Sequence, residues 1–251
     1  MDLFEYQARD LLVAYDVPVV RGIVAHTPEE VRAAALKLGA DPVVVKAQVK
    51  AGDRAKVGGI RLIYGPRADE AAGAAAERIL GMEIDGQTVR SVMVAEGVGI
   101  ATEYYVAITL DRSNRYYVAM LSTQGGTGIE ELAKERPEAV RRFPINPLRG
   151  LDETFADQIV DTVGFPAEQC ETISDILVRL WDLVAREDAT LVEINPLVVS
   201  ENDEILALDA KVVIDGNAAF RQPGHVQLVD DILAADPLEA EARAKKLSYI
   251  R

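Results

Sequence analysis

The sequence predicts an α+β fold of two lobes, with antiparallel or mixed sheets and flanking helices. Three observations support this. Residues 190–214 form two alternating runs around a polar turn, residues 104–122 form a second such pair, and residues 166–186 carry apolar side chains at helical spacing. This mixture of hairpins and helices indicates the α+β class. We place the division between the lobes near residues 97–103.

Composition narrows the class of protein. The chain has 251 residues, 49% of them hydrophobic, which is enough core for one large domain or two smaller ones. Its formal charge of −14 opposes binding to nucleic acid. The single cysteine, Cys170, excludes an internal disulfide, and the first residues lack the pattern of a signal peptide. We therefore expect a cytoplasmic protein with neither a nucleic acid nor a membrane partner.

The first third of the chain alternates helices with strands. Asp2 is placed to cap a helix whose apolar side chains run from Phe4 to Tyr15. The next predicted elements are a strand over residues 18–24, a helix from the capping box at 27–30 to Gly39, strands over 43–49 and 60–64, and a helix over 68–80.

The remaining chain contains most of the predicted hairpins. The predicted strands are 92–95, 104–110, 116–122 and the two within 190–214. The predicted helices are a short one at 129–134, a long one at 166–186 and one at 238–246, the last preceded by a turn-rich stretch. The apolar stripe of the long helix indicates core, so we assign Trp181 no functional role.

The hairpin at residues 190–214 carries a candidate metal site. If its turn is centred on Asn202, Asn195 lies across from Asp209, and Glu193 lies across from Lys211. Carboxylate and amide oxygens suit Mg²⁺, which is usually held by one or two protein groups, with waters and substrate phosphates completing its shell. The alternative is an amphipathic hairpin whose polar side faces water.

A cationic strand and the loop after it form a candidate phosphate site. Alternation places Lys46, Gln48 and Lys50 on one face, and the loop at 51–59 adds Arg54, Lys56 and three glycines. Glycines let backbone N–H groups approach phosphate oxygens, while cations offset their charge. The loop matches neither a P-loop nor a dinucleotide-binding turn, and two strands flank it. The alternative is a mobile basic surface loop.

Motifs spread along the chain resemble one known family. They are MDLFEYQAR at the start, VVKAQVKAG at 44–52, LDR at 110–112, STQGG at 122–126, EINPL at 193–197, LDAK at 208–211 and DGNAAFRQP at 215–223. Together, and in this order, they resemble the β subunit of succinate-CoA ligase. The resemblance implies an ATP-grasp domain at residues 1–237, with the smaller lobe inserted at roughly 20–96.

The resemblance also implies roles for individual residues. Lys46 would bind a phosphate of ATP, residues 52–55 would cover the phosphates, and Asn195 and Asp209 would bind Mg²⁺. Glu193 and Arg54 would take part in catalysis. The full set of nucleotide-binding residues it implies is Lys46, Gly52, Asp53, Arg54, Ala55, Ala95, Glu96, Val98 and Glu103. The implied cofactors are Mg²⁺ and ATP, or GTP in its place.

The family's reaction belongs to the tricarboxylic acid cycle and needs a second subunit. In it, ATP phosphorylates a histidine of the α subunit, which also carries the CoA site, and succinate, CoA and ATP give succinyl-CoA, ADP and phosphate. The histidines of this chain, His26 and His225, match no such position. We therefore expect them to be structural or solvent-exposed, and we expect the α subunit as partner.

Two departures from the family pattern bear on activity. The family's GGRGK run is replaced by Gly52-Asp53-Arg54-Ala55-Lys56, which removes glycine freedom and adds a negative charge. We therefore expect weaker nucleotide binding than in relatives with both glycines. Residues 238–251 look like a linker and the start of a missing C-terminal domain of the CoA-ligase type. We expect no complete synthetase turnover from this chain alone.

Two alternatives to this function remain open from the sequence. One is a related acid-CoA ligase, such as one using malate, since the family's acid-contacting region lies beyond these motifs. The other is a non-catalytic ATP-grasp module kept for nucleotide binding or assembly, which the changes at Asp53 and Ala55 would permit.

Overall fold

The structure is a computed structural model, and it describes residues 1–52, 54–126 and 128–228 together with positions 238, 241, 242, 245 and 247. The helices are α1 (Glu5–Ala14), α2 (Pro28–Leu38), α3 (Ala68–Ile79), α4 (Ile129–Glu135), α5 (Glu153–Val163) and α6 (Ala167–Arg186). The strands are β1 (Gly22–Ala25), β2 (Val43–Ala47), β3 (Ile60–Ile63), β4 (Glu83–Ile84), β5 (Gln87–Thr88), β6 (Val92–Glu96), β7 (Ile100–Asp111), β8 (Tyr116–Ser122), β9 (Arg141–Ile145), β10 (Ala189–Ser200), β11 (Ile205–Ala207) and β12 (Ala210–Ile214).

The strands form two main sheets with antiparallel ladders. The first sheet has the order β1-β6-β2-β3, and the second has the order β11-β10-β7-β8-β9, with β12 also paired to β10. Strands β4 and β5 make a separate small hairpin. The predicted α+β class with antiparallel sheets and flanking helices is therefore confirmed. The predicted domain boundaries stay a prediction.

Helices α2 and α3 cover the first sheet. Thr27 caps α2 by accepting a hydrogen bond from the backbone of Glu30, and Gly39 ends it in the left-handed conformation, as the capping box and the glycine predict. Both helices bury small side chains, among them Ala35 and Ala76, in one cluster with the strands. Small contact residues let the two helices lie close on the sheet.

Helix α6 packs on the second sheet with the predicted apolar stripe. Ile173, Ile176, Leu177 and Leu180 are at most 1% exposed and belong to the same core as β7 and β10. Trp181 stacks edge-on against Tyr117 at 5.4 Å between ring centroids, which supports its assignment to packing. Among the described residues, no helix is long and apolar enough to cross a membrane.

Two predictions near the N-terminus are wrong. The strand predicted at 18–24 begins only at Gly22, because residues 18–20 cross to the second sheet, where the Pro18 carbonyl accepts from the backbone N–H of Ala207 at 2.9 Å. Asp2 does not cap α1. The cap position is Phe4, whose backbone N–H donates to the side chain of Gln7, while Asp2 pairs with Val213 in an isolated bridge.

Several elements were not predicted. Helix α5 is capped by Asp152, whose side chain accepts from the backbone of Phe155, and strand β9 forms an edge of the second sheet. The two arginines and the proline of β9 hide the alternation of a strand, and the proline is tolerated because an edge strand needs fewer ladder bonds. Strands β4 and β5 were missed too. The helix predicted at 238–246 lies almost wholly outside the described residues.

Candidate nucleotide site

The hairpin of β10 with β11 and β12 has the predicted register. Glu193 pairs with Lys211 and Leu197 pairs with Ala207, so the hairpin is centred on Asn202. Between these pairs, the backbone N–H of Asn195 donates to the carbonyl of Asp209 at 3.1 Å. The period of two therefore placed these polar residues opposite each other correctly.

A cavity of about 480 Å³ lies where the first sheet, the N-terminal segment and this hairpin meet. Its volume is within the range of small-molecule sites, about 300–1,000 Å³. The candidate residues that line it are Lys46, Gly52, Arg54, Ala55, Glu103, Glu193, Asn195 and Asp209. The cationic strand and the oxygen-rich hairpin, which are about 150 residues apart in sequence, thus face one cavity.

Four charged side chains form an ion cluster on the cavity wall: Glu5, Lys46, Arg54 and Asp209. Lys46 Nζ donates to Glu5 Oε1 at 2.8 Å and to the Leu208 carbonyl at 2.6 Å. Arg54 Nη1 donates to Glu5 Oε2 at 2.5 Å, and Nη2 donates to Asp209 Oδ2 at 2.7 Å. Each cation is therefore held by a carboxylate that is distant in sequence.

The two carboxylates of the ion cluster have pKa values shifted in opposite directions. Burial tends to raise the pKa of Glu5, but the charges of Lys46 and Arg54 outweigh it and lower the pKa to about 2. Burial and the neighbouring charge of Glu5 raise the pKa of Asp209, in spite of Arg54 and Lys46. The cations therefore stabilise ionised Glu5 more than ionised Asp209.

This shift predicts how stability depends on acid. A carboxyl pKa that falls from 4.5 to about 2 on folding stabilises the native state by about 3 kcal/mol, at about 1.4 kcal/mol per pH unit between the two values. The stabilisation is present in full above pH 4.5 and is lost as pH falls through 2. We expect Glu5→Gln to lower the free energy of unfolding by a constant amount above pH 5 and by progressively less below it. Urea denaturation of both proteins between pH 2 and pH 7 measures this, and a pH-independent difference would contradict it.

A glycine pair lies beside Asn195, and Gly126 holds the Asn195 side chain. The backbone N–H of Gly126 donates to Asn195 Oδ1 at 2.7 Å, and that of Gly125 donates to the Glu103 carbonyl at 2.9 Å. Gly126 has a φ of +85°, and a Cβ there would lie 2.3 Å from Glu103 Oε2. The positive φ favours glycine at this position, and the Gly126 hydrogen bond fixes the amide oxygen of Asn195 relative to the cavity.

The oxygens of Asn195 and Asp209 suit an Mg²⁺ ion that phosphates and water also hold. Both are hard donors on one hairpin. Within the described part of the chain, Gly126 donates to the Asn195 oxygen and Arg54 donates to an oxygen of Asp209. Among the described residues, no group of three or more His, Cys, Asp or Glu side chains is placed to hold a metal. Two protein ligands suit Mg²⁺ that is bound mainly by phosphates and water, and not a metal enclosed by protein.

Other predicted nucleotide residues do not reach the cavity. Ala95 is fully buried in β6, a central strand whose backbone pairs with both β1 and β2. Glu96 forms an ion pair with Arg21 at 2.7 Å, and Val98 packs in a small apolar cluster. Their assignment to the nucleotide stays a prediction without support from their positions. Asp53 lies outside the described residues.

Sequence reasoning missed Glu5, which contacts both cations. An acidic residue in the first turn of a helix is common, so its spacing carried no signal for a site. The histidines lie away from the cavity: His26 is exposed, and His225 Nε2 lies 2.7 Å from Glu187 Oε2. This agrees with their predicted structural or exposed character.

Comparison with known proteins identifies the family. Residues 2–199 match the ATP-grasp domain family, so the chain belongs to it, and the predicted ATP-grasp fold is confirmed. ATP-grasp domains bind ATP with Mg²⁺. Solved structures at about 20% identity support the same fold.

Three of these structures come from Ca. Korarchaeum cryptofilum and Methanothrix soehngenii. A dinucleotide-forming acetyl-coenzyme A synthetase 1 of Ca. Korarchaeum cryptofilum, in complex with coenzyme A and Ca-AMPCP, is 21% identical, covers 85% of this chain and 93% of its own, and has a TM-score of 0.68. Another structure of that enzyme contains Mg-AMPPCP, and the enzyme's phosphohistidine segment points towards the nucleotide binding site. It is 20% identical, covers 85% of this chain and 93% of its own, and has a TM-score of 0.62. The ATP citrate lyase of Methanothrix soehngenii is 21% identical over 91% of this chain and 54% of its own, with a TM-score of 0.69.

Proposed function

We propose that the chain binds a magnesium nucleoside triphosphate in this cavity and acts as the ATP-grasp part of a succinate-CoA ligase β subunit. In this reaction, the γ-phosphoryl group of ATP passes to a histidine of the α subunit. One observation carries the proposal: the cations Lys46 and Arg54 and the oxygen donors Asn195 and Asp209 converge on one cavity. The motifs EINPL and LDAK, which place the last two residues, favour succinate-CoA ligase within the ATP-grasp family.

The cavity supplies what phosphoryl transfer requires, which is positioning and charge neutralisation. Lys46 and Arg54 offer preorganised N–H donors and positive charge to phosphate oxygens, and both are about 7% exposed. Asn195 and Asp209 would hold the metal. When bound, Mg²⁺ supplies further neutralisation of the charge that develops on the phosphates. Glu193, which lines the same cavity, would face the incoming acceptor.

The acceptor histidine is proposed to come from the α subunit. No histidine is among the described residues that line the cavity, and His225 is engaged with Glu187. The Korarchaeum enzyme, whose phosphohistidine segment points to its nucleotide site, offers a precedent in a relative of the same fold. Succinate and CoA would then react on the partner and not in this cavity.

Calorimetry and a phosphotransfer assay test the proposal together. We expect one Mg-ATP to bind per chain, with binding lost when Mg²⁺ is chelated. We expect radiolabelled phosphate from ATP to pass to the histidine of an added bacterial succinate-CoA ligase α subunit. Binding without transfer to any α subunit would support the non-catalytic module instead, and absence of Mg-ATP binding would contradict the proposal.

Asp209→Asn tests the metal role. The amide is neutral, so we expect the dissociation constant for Mg-AMPPNP to rise about tenfold and the Mg²⁺ concentration for half-saturation to rise with it, as the loss of one charged ligand implies. Asp203→Asn, in the exposed turn of the same hairpin, is the matched control and should bind as the wild type does. Equal Mg²⁺ dependence in both variants would exclude Asp209 as a ligand.

A related acid-CoA ligase is the second candidate. The similar structures come from enzymes named for acetyl-CoA and for citrate, so this fold serves more than one acid. The cavity contains the candidate nucleotide groups, and in the proposed reaction the acid reacts on the partner. Assays of the chain with an α subunit, comparing succinate, malate, citrate and acetate, separate these candidates.

A further inference from the structure

Glu5 is the one carboxylate of the ion cluster that has no place in the proposed reaction. It is 6% exposed, and both of its oxygens accept hydrogen bonds from charged groups: Oε1 from Lys46, and Oε2 from Arg54. The amide of Gln48 also donates to Oε2 at 3.3 Å. A buried carboxylate is retained at such a cost in hydration only where its partners are held in good geometry.

Glu5 connects two parts of the molecule. It is the first residue of α1, whose side chains Ala8 and Leu12 pack in the core of the second sheet. Its donors Lys46 and Gln48 come from β2 of the first sheet and from the residue just after that strand. The backbone N–H of Tyr6 donates to Gln48 Oε1 at 3.1 Å, so three hydrogen bonds join the start of α1 to Lys46 and Gln48.

The hydrogen bonds of Glu5 set the direction of both cations. The ammonium of Lys46 has three N–H donors, and Glu5 and the Leu208 carbonyl account for two of them among the described residues. Arg54 is fixed at Nη1 by Glu5 and by the Ala47 carbonyl, which leaves Nη2 turned to Asp209 at the cavity. Glu5 therefore orients both cations, and both line the cavity that the phosphates would occupy.

We propose that Glu5 is a positioning residue for the triphosphate: from the start of α1 it fixes Lys46 and Arg54 so that both present N–H groups to phosphate oxygens. The inference rests on the proposed function and adds to it a residue that touches no substrate. The alternative view is that Glu5 is only a counter-ion. In that case, Glu5 would compete with phosphate for Lys46 and Arg54. The two views predict opposite effects of neutralising Glu5.

Two substitutions separate these views. In Glu5→Gln, one oxygen becomes an NH₂ group that faces an N–H donor of Lys46 or Arg54, so one cation must turn away. In Glu5→Asp, the charge stays but the carboxylate is one methylene shorter and cannot reach both. We expect the dissociation constant for Mg-AMPPNP to rise about tenfold in each variant, and the affinity for adenosine, measured by ligand-observed NMR, to stay unchanged.

The counter-ion view predicts tighter Mg-AMPPNP binding by Glu5→Gln and wild-type binding by Glu5→Asp, and either result would overturn the inference. An equal loss for adenosine and Mg-AMPPNP would also overturn it, because it would show a general structural defect. Glu29→Gln, at an exposed acid in the first turn of α2, is the matched control.

If circular dichroism shows that Glu5→Gln does not fold, Glu5→Asp decides the question. Failure of the wild type to bind Mg-AMPPNP would defeat the proposed function, whereas wild-type binding with unchanged variants would defeat only this inference.

Discussion

Lys46→Ala is expected to weaken the binding of a magnesium nucleoside triphosphate by about 10- to 100-fold. Lys46 is 7% exposed at the cavity, and hydrogen bonds to charged groups contribute about 1.5–3 kcal/mol each. The substitution removes the ammonium and leaves Glu5 with Arg54 as its remaining cationic partner in the ion cluster. Calorimetric titration with Mg-AMPPNP measures the effect.

Lys37→Ala is the matched control for this experiment, since Lys37 lies exposed in the last turn of α2, outside the residues that line the cavity. It should leave the affinity unchanged. A non-catalytic scaffold that does not use the cavity would be indifferent to both substitutions. Equal affinity of Lys46→Ala and wild type would therefore exclude the phosphate role of Lys46.

Gly125→Ala is expected to destabilise the fold and disturb Asn195 together. A Cβ at this position would lie 2.2 Å from the Tyr104 carbonyl oxygen and 2.4 Å from its carbon, so the backbone must move. Tyr104 is anchored by its hydroxyl, which donates to Gln169 at 2.7 Å, and by edge-on contact with Phe165. Forcing extra atoms into such packing costs about 1–3 kcal/mol.

Urea denaturation measures the loss of stability, and Gly216→Ala is its control, because a Cβ at Gly216 meets nothing within 4 Å. Displacement of the glycine pair also moves the Gly126 N–H away from Asn195 Oδ1, so the Mg²⁺ requirement for nucleotide binding should rise. Unchanged stability in Gly125→Ala would show that the approach to Tyr104 relaxes without cost.

Local patterns predicted much of the fold. The register of the β10 hairpin follows from a period of two and a turn centred on Asn202, so Glu193 was placed opposite Lys211 correctly. The limits of α2 follow from Thr27 and Gly39, which satisfy its end groups within a few residues. In each case, the residues that decide the structure are neighbours in the sequence.

Features that depend on distant contacts were not predictable in this way. Residues 18–20 look like a strand of the first sheet, but they bond to β11, nearly 190 residues further on. Glu5 acquires its role from Lys46, 41 residues away, and from Arg54. The alternation of residues in the strand identifies Lys46 and Gln48 as neighbours on one face, but it does not indicate which carboxylate accepts their hydrogen bonds. The closeness of Arg54 to Asp209 likewise needed the tertiary structure.

A crystal structure of the chain with Mg²⁺ and AMPPNP tests the central claim most directly. We expect triphosphate oxygens within hydrogen-bond distance of Lys46 Nζ and Arg54, and Mg²⁺ about 2.0–2.1 Å from the oxygens of Asn195 and Asp209. A nucleotide bound outside this cavity, or a metal that contacts neither Asn195 nor Asp209, would contradict it.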